Sequence, residues 1–131
     1  MATSHSPAEA LAFVHSIYDP YVGSAASDPA RLLGSCFGRG SGTCSLNPAV
    51  FVTPALSLEL RRYAQTNQSD AVICAQNVPA RIIYGRPSPS GRSVTIEVHT
   101  FYQESSGVTI VVTVDLATLK LTRLACPPPP G

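Results

Sequence analysis

The sequence predicts an α+β domain in which N-terminal helices pack on a mostly antiparallel sheet. Two patterns indicate this class. A capping residue followed by proline opens a run of helix formers at three places in the first half, and apolar residues alternate with polar ones through most of the second half. A chain of 131 residues with 44% hydrophobic content can bury one sizeable core, so a single domain is expected.

The helix starts come first along the chain. Proline is favoured at the first helical position because the amide that it lacks would be unpaired there anyway. Ser6 and Glu9 form a capping box, and the first helix should end near Tyr18. A short helix should begin at Pro29 and end at Gly34, and a third should run from Pro54 to about Gln65. The three start signals are Ser6-Pro7, Asp28-Pro29 and Thr53-Pro54.

The second half is predicted to be a meander of strands. Turns are expected at "ESSG" (residues 104–107) and at "DLAT" (residues 115–118), which would reverse the chain twice. The four predicted strands are centred on residues 81–84, 94–98, 108–114 and 119–126. The domain should therefore span residues 8–126, between a disordered tail at 1–7 and a proline-rich tail at 127–131.

The charge pattern excludes some functions. The formal net charge is +1 and only 13% of residues are charged, so neither a nucleic-acid footprint nor a membrane-surface patch is present. No stretch of 18 apolar residues exists, and hence no transmembrane segment is predicted.

Four cysteines are the main clue to location. Without a C-x-x-C pair they do not resemble a zinc ribbon, and neither a metal nor a cofactor is predicted. Cys36 and Cys44 flank a Gly/Ser-rich loop and could close a small ring, while Cys74 and Cys126 could tie the middle of the chain to its last strand. Four cysteines allow three connectivities, and free buried thiols in a cytosolic protein are the alternative. The disulfide interpretation implies an oxidising compartment, with export (periplasmic, cell-surface or secreted) by a leader that precedes this sequence.

The order of elements carries a family resemblance. A helix in "AEALAFVHSIYDPYV", a second in "FVTPALSLELRRYA", the spacing of Asp70, Gln76, Asn77 and Pro79, and a long meander follow one another. Together they resemble the nuclear-transport-factor-two-like superfamily with its cystatin-like cone, and within it the bacterial family called domain of unknown function 3828. The resemblance covers residues 8–126.

The resemblance implies a curved sheet wrapped against the helices. Similar proteins form a cone whose mouth often holds a small molecule, and their sheet face often dimerises. Members of the unknown-function family are generally lipoproteins or periplasmic proteins without an assigned reaction. A small-molecule partner and a homodimer or other self-association are therefore expected.

The polar residues of the middle segment are the candidate ligand contacts. Gln76 and Asn77 would fix a polar ligand in the cone, or else satisfy backbone groups where helices and sheet join. The tyrosines, apolar in body and polar at the tip, would line the pocket or else form a core boundary or dimer face. Asp70 suits a turn or cap, with a ligand contact as the alternative. The predicted ligand-binding set is Gln76, Asn77, Tyr18, Tyr84 and Tyr102.

Acid-base chemistry has one candidate group. His15 and Asp19 are an i, i+4 pair that could orient an imidazole, and His99 is the candidate for a third member. The alternative is a solvated histidine at a helix end. No G-x-S-x-G elbow occurs, and "GRGSG" lacks the lysine of a phosphate-binding loop.

These features favour a non-enzymatic, exported binding or interaction module with a conical small-molecule pocket. One alternative is a small isomerase, cyclase or hydrolase acting in the cone. Another is a structural subunit that self-assembles through the Val/Ile/Thr-rich sheet faces between Val94 and Val114.

Overall fold

Helix α1 (Pro7–Tyr18) begins where the sequence predicts it. In the computed structural model, which describes residues 4–38, 44–103 and 107–127, both halves of the capping box are formed. The Ser6 hydroxyl accepts from the Glu9 amide at 3.1 Å, and the Glu9 carboxylate accepts from the Ser6 amide at 3.2 Å. The buried face consists of Ala10, Val14, Ile17 and Tyr18.

Short helices connect α1 to the next long helix. Among the described residues, four of them are 3-10 turns. A fifth, α2 (Pro48–Phe51), is a four-residue α-helix whose Asn47 side chain accepts from the Ala49 amide at 3.2 Å. Sequence reasoning did not predict α2, although Asn47-Pro48 follows the same capping pattern. The 3-10 turns span Asp19–Tyr21, Ser24–Ser27, Pro29–Arg31 and Leu33–Cys36.

The helix predicted at Pro29 is thus replaced by two 3-10 turns. Asp28 makes no side-chain capping hydrogen bond, and Leu32 between the two turns has extended backbone angles. Leu32 and Leu33 are 5% and 1% exposed. Burial of two consecutive leucines suits an irregular segment better than a regular helix, because neighbouring helix positions point in directions about 100° apart.

Helix α3 (Pro54–Asn67) is the longest helix among the described residues. The Thr53 hydroxyl accepts from the Leu56 amide at 3.3 Å, which confirms the predicted start. The helix ends two residues later than predicted, where Gln68 adopts the left-handed conformation with φ of 50°. Leu56, Leu60 and Ala64 form its buried stripe.

Five antiparallel strands of the described ranges form one curved sheet. The four predicted strands are present, and one short strand, β2, was not predicted because its serines and proline carry no apolar alternation. Strand β3 lies between β4 on one side and β1 and β2 in succession on the other, and β5 pairs with β4. The strands are β1 (Arg81–Tyr84), β2 (Ser88–Ser90), β3 (Ser93–Phe101), β4 (Thr109–Asp115) and β5 (Lys120–Ala125).

The core lies between the helices and one face of this sheet. The alternating residues of β3 and β4 that face the helices are fully buried, and they pair across the strands. These residues are Val94, Ile96, Val98, Ile110, Val112 and Val114. The α+β class with N-terminal helices on an antiparallel sheet is therefore confirmed.

The opposite face of the sheet points away from the core, and we call it the open sheet face. Its residues are exposed or half-buried, as their alternation with the buried set requires. It carries Glu97 near its centre, and Arg123 on β5 pairs with Thr113. The face comprises Arg81, Ile83, Thr95, Glu97, His99, Phe101, Thr109, Val111, Thr113, Arg123 and Ala125.

Two disulfides close the fold as predicted. Cys36 pairs with Cys44, eight positions along the chain. Cys74 pairs with Cys126 across 52 positions, so the end of β5 is joined to the segment that follows α3. Two disulfides are compatible with an oxidising location.

The two edges of the sheet differ. At the β5 edge, Val52 forms a parallel bridge to Leu121, and the Thr53 amide donates to the Leu121 carbonyl at 3.0 Å. At the other edge, β1 and β2 are short and separated, and β2 contains Pro89.

The predicted turns and tails have different outcomes. In the turn after β4, Asp115 accepts hydrogen bonds from the amide and the hydroxyl of Thr118, at 2.9 and 2.7 Å. The turn predicted at residues 104–107 falls largely on residues outside the described ranges, as do residues 1–3 and 128–131 of the tails. His5 is described, and its amide donates to the Leu116 carbonyl at 2.7 Å.

Candidate functional site

A tight turn after α3 holds a carboxylate in place. Asp70 and Ala75 bridge across this turn, and the Asp70 amide donates to the Ala75 carbonyl at 2.9 Å. Asp70 Oδ1 accepts from the amides of Val72 and Ile73, at 2.8 and 3.4 Å. These bonds are those of a turn residue, as the sequence predicts, and they fix the carboxyl group.

The second oxygen of Asp70 meets a buried tyrosine. Asp70 Oδ2 accepts from the Tyr21 hydroxyl at 2.7 Å, and that hydroxyl in turn accepts from the Gly34 amide at 2.9 Å. Tyr21 has no exposed surface. A Cβ at position 34 would overlap the Asp70 carboxyl group, so only glycine allows this approach.

Burial sets the protonation behaviour of this pair. It raises the pKa of Asp70 above its ordinary value, whereas the hydrogen bonds from Tyr21, Val72 and Ile73 act in the opposite direction. Burial, together with the charge of Asp70, raises the pKa of Tyr21 well above its usual range. Tyr21 is therefore a neutral donor, and Asp70 is an acid that binds its proton more tightly than an ordinary aspartate does.

A cavity of about 390 Å³ lies beside this pair. Asp70 and Gly34 contribute to its wall, together with residues from the 3-10 segment and from the end of α3. Its other lining residues include Pro29, Leu32, Ser35, Ala64, Gln65 and Gln68. The cavity combines apolar walls with a few polar groups, which is the usual makeup of a small-molecule site.

The predicted ligand-binding residues lie elsewhere. Gln76 and Asn77 are exposed on the loop before β1, and the Asn77 carbonyl accepts from the Tyr102 hydroxyl at 3.0 Å. Tyr18 is fully buried, and its hydroxyl donates to the Val72 carbonyl at 2.8 Å. These four residues are not among those that line the 390 Å³ cavity, and neither is Tyr84.

Tyr84 instead joins the predicted His15 and Asp19 pair. His15 Nδ1 lies 3.1 Å from Asp19 Oδ2, and the Tyr84 hydroxyl donates to Asp19 Oδ1 at 2.6 Å. The rings of His15 and Tyr84 stack with centroids 3.8 Å apart. Burial, then the bond to Asp19, raises the pKa of Tyr84 well above its usual range. The cluster sits on the surface, since the His15 and Asp19 side chains are 41% and 56% exposed.

His99 does not join this cluster. Tyr84 pairs with Val98, whose side chain faces the core, and the next residue, His99, therefore points to the open sheet face. There its Nδ1 lies 2.9 Å from the Thr109 hydroxyl, and its Nε2 lies 4.0 Å from a Glu97 oxygen. The sheet separates His99 from His15 and Asp19.

The sequence alone does not identify Gly34 as part of the cavity wall, nor Tyr21 as the residue that donates to Asp70 in that wall. The sequence predicts Gly34 only as the end of a short helix, and it presents Tyr21 only as one of five tyrosines. A glycine at a predicted helix end and an aspartate before an apolar run are both common patterns. Neither pattern indicates that the two residues are in contact.

The described residues contain no group of three or more His, Cys, Asp or Glu side chains placed to hold a metal ion. Within the same part of the chain, every helix is too short or too polar to cross a bilayer. Comparison with protein-family models, curated proteins and solved structures finds no match for this chain.

Proposed function

We propose that this protein is a binding module that takes a small molecule into the cavity beside Asp70. One observation carries the proposal: a cavity of about 390 Å³ has in its wall a carboxyl group that the protein holds in one orientation. Fixed polar groups in a mostly apolar cavity give orientation and specificity to a bound molecule. The family resemblance to cone-shaped binding domains supports small-molecule binding in general, whereas the described lining residues of this cavity lie outside the sheet.

The site favours binding over catalysis. The acid-base groups of the enzyme alternative are divided between two places, with His15 and Asp19 at the end of α1 and His99 on the open sheet face. Neither place borders the 390 Å³ cavity. A general base must lie within hydrogen-bond reach of the reacting group, and in the described part of the chain His99 lies on the opposite side of the sheet from His15 and Asp19.

Fragment binding followed by ligand-observed NMR tests the proposal. Gln65→Trp would fill the cavity mouth from the exposed face of α3, whereas Thr66→Trp adds the same side chain at the neighbouring exposed position, which does not line the cavity. We expect fragments to bind the wild-type protein and the Thr66→Trp variant and to lose binding in Gln65→Trp. A screen without binders, or binders that Gln65→Trp leaves unchanged, would contradict the proposal.

We further propose that the module is exported and self-associates through the open sheet face. The two disulfides support export. Self-association is supported by a central acidic residue, Glu97, with Arg81 and Arg123 on the flanking strands, because two such faces can pair opposite charges. Val111 and the 47% exposed Ile83 add apolar area to the same face.

A further inference from the structure

The cavity beside Asp70 has one formal charge among its described lining residues, and that charge is negative. The other described residues of its wall are apolar or neutral: glycine, alanine, leucine and proline, with serine hydroxyls and the side-chain amides of Gln65 and Gln68. Among these described residues, an anion placed there would meet a carboxylate and no compensating base.

No basic side chain of the described residues forms an ion pair with Asp70. The described partners of its carboxyl group are neutral donors, two backbone amides and the Tyr21 hydroxyl. Asp70 is half-buried. A carboxylate partly removed from water and without a counter-ion among the described residues is destabilised, and hydrogen bonds from neutral groups offset only part of that cost.

The donors in the described part of the chain also leave one acceptor position of the carboxyl group unused. Among the described residues, the amides of Val72 and Ile73 donate to Oδ1, and the Tyr21 hydroxyl is the one donor to Oδ2. An ionised carboxylate offers about four lone-pair positions, two on each oxygen. Gly34 packs against the carboxyl group, and the position left on Oδ2 is available to a donor from the cavity.

We propose that the cavity binds a small organic cation, an ammonium or amidinium group on an apolar body. This inference rests on the proposed function, because it names the chemical class that the same cavity takes. The cationic N–H groups donate to Asp70 Oδ2 in a charge-assisted hydrogen bond, and the apolar body lies against Leu32 and Ala64. The cation supplies the counter-ion that the described protein groups do not.

A second cavity serves as an internal control. It has a volume of about 230 Å³ and is lined by Arg31 with Ser16, Ser45 and Phe51 among its neighbours. Its one charged lining residue among those described is a cation, so it should not favour cationic compounds. Arg31→Gln is therefore a matched charge-removing control for Asp70→Asn.

Four probes of similar size test the charge preference: benzylamine, benzamidine, benzyl alcohol and benzoate. We expect the two cations to bind the wild-type protein about tenfold or more tightly than benzyl alcohol, with benzoate weakest. Asp70→Asn should remove that preference, and Arg31→Gln should retain it. Equal binding of benzylamine and benzyl alcohol to the wild-type protein, or an unchanged preference in Asp70→Asn, overturns the proposal.

Two further measurements keep the test decisive. Asp70 supports a turn, and so circular dichroism must show that Asp70→Asn is folded. If it is not, the salt dependence of binding to the wild-type protein decides. Added salt should weaken the binding of benzylamine and leave the binding of benzyl alcohol unchanged. An equal salt dependence of the two affinities overturns the proposal. Neutral or anionic fragments that bind in preference to the cations refute only the cationic class, whereas a cavity that binds no fragment at all refutes the proposed function as well.

Discussion

The backbone of Gly34 lies against the carboxyl group of Asp70, so closely that a Cβ at position 34 would overlap it. The two residues are far apart in the chain, and Tyr21 connects them by accepting from the Gly34 amide and donating to Asp70. Because of this contact, even a methyl group at position 34 should disturb the Asp70 site.

Gly34→Ala should therefore destabilise the protein. The added methyl group must displace the carboxyl group, which is held by the amides of Val72 and Ile73, and the expected loss is about 1–3 kcal/mol of unfolding free energy. Urea unfolding measures it. Gly38→Ala is the control, because a Cβ there would meet nothing within 4 Å. Equal stability of the two variants would refute the contact.

Asp70 should make the protein relatively more stable in acid. Burial raises its folded pKa above the ordinary value of 3.8, so the ionised form is disfavoured by folding and protonation is favoured. The titratable groups near it are Tyr21, which donates to it, and Tyr18 and Tyr102, whose pKa values its negative charge helps to raise. The unfolding free energy of the wild-type protein minus that of Asp70→Asn should rise as the pH falls from about 7 through the raised pKa.

Comparison with Asp70→Asn isolates this effect. The pKa values of Glu9 and Asp115 are lowered by their hydrogen bonds, and these residues lose stabilising interactions in acid. Both residues are present in the wild-type protein and in Asp70→Asn, so their contributions cancel in the difference between the two unfolding free energies. A difference that stays constant or falls on acidification would contradict a raised Asp70 pKa.

The Tyr84 hydroxyl should be energetically coupled to Asp19. A double-mutant cycle with Asp19→Ala and Tyr84→Phe should give a coupling of about 1 kcal/mol, the usual contribution of one hydrogen bond. His15→Ala combined with Tyr84→Phe is the comparison, because Tyr84→Phe keeps the ring that stacks on His15, and the hydroxyl that it removes donates to Asp19. This pair should therefore show a smaller coupling. A coupling near zero for Asp19 and Tyr84 would show that the bond does not stabilise the fold.

The two disulfides should contribute unequally. The Cys74–Cys126 bond closes a 52-residue separation and the Cys36–Cys44 bond one of eight. By loop-closure entropy, removing them should cost about 4 and about 2.5 kcal/mol respectively. Urea unfolding of Cys74→Ala/Cys126→Ala and Cys36→Ala/Cys44→Ala compares them, and a larger loss in the second pair would reverse the expectation.

Thr113→Lys should leave the fold intact and abolish self-association. Thr113 lies on the open sheet face between Thr95 and Arg123, outside the core, and a second copy stacked there would bury the added ammonium group. Sedimentation equilibrium compares it with the wild-type protein, and Thr66→Lys on exposed α3 is the control. Assembly that persists unchanged in Thr113→Lys would remove this face as the interface.

Local signals account for what the sequence predicts well. Ser6 and Thr53 cap helices through bonds to amides three residues away, so a short window contains the whole interaction. Asp28-Pro29 shows the same pattern, but no regular α-helix forms there, because Leu32 and Leu33 are both buried in the core. Alternation in β3 and β4 is equally local, since each side chain faces the core or the opposite side by position alone.

The site depends on contacts that no short window contains. Tyr21 and Asp70 are 49 positions apart, and their meeting requires the 3-10 segment and the end of α3 to be placed first. Asp70 could be predicted as a turn residue, because its bonds to Val72 and Ile73 are local. Its second bond and its place in a cavity wall come from tertiary packing.

The edges of the sheet limit how copies of this chain can aggregate. Val52 and Thr53 occupy the outer side of β5, and the opposite edge is divided into two short strands, one of which contains Pro89. Neither edge offers a long row of free amides and carbonyls to an incoming strand. Growth of fibrils by strand addition is thereby disfavoured, although β3 and β4 are rich in valine, isoleucine and threonine.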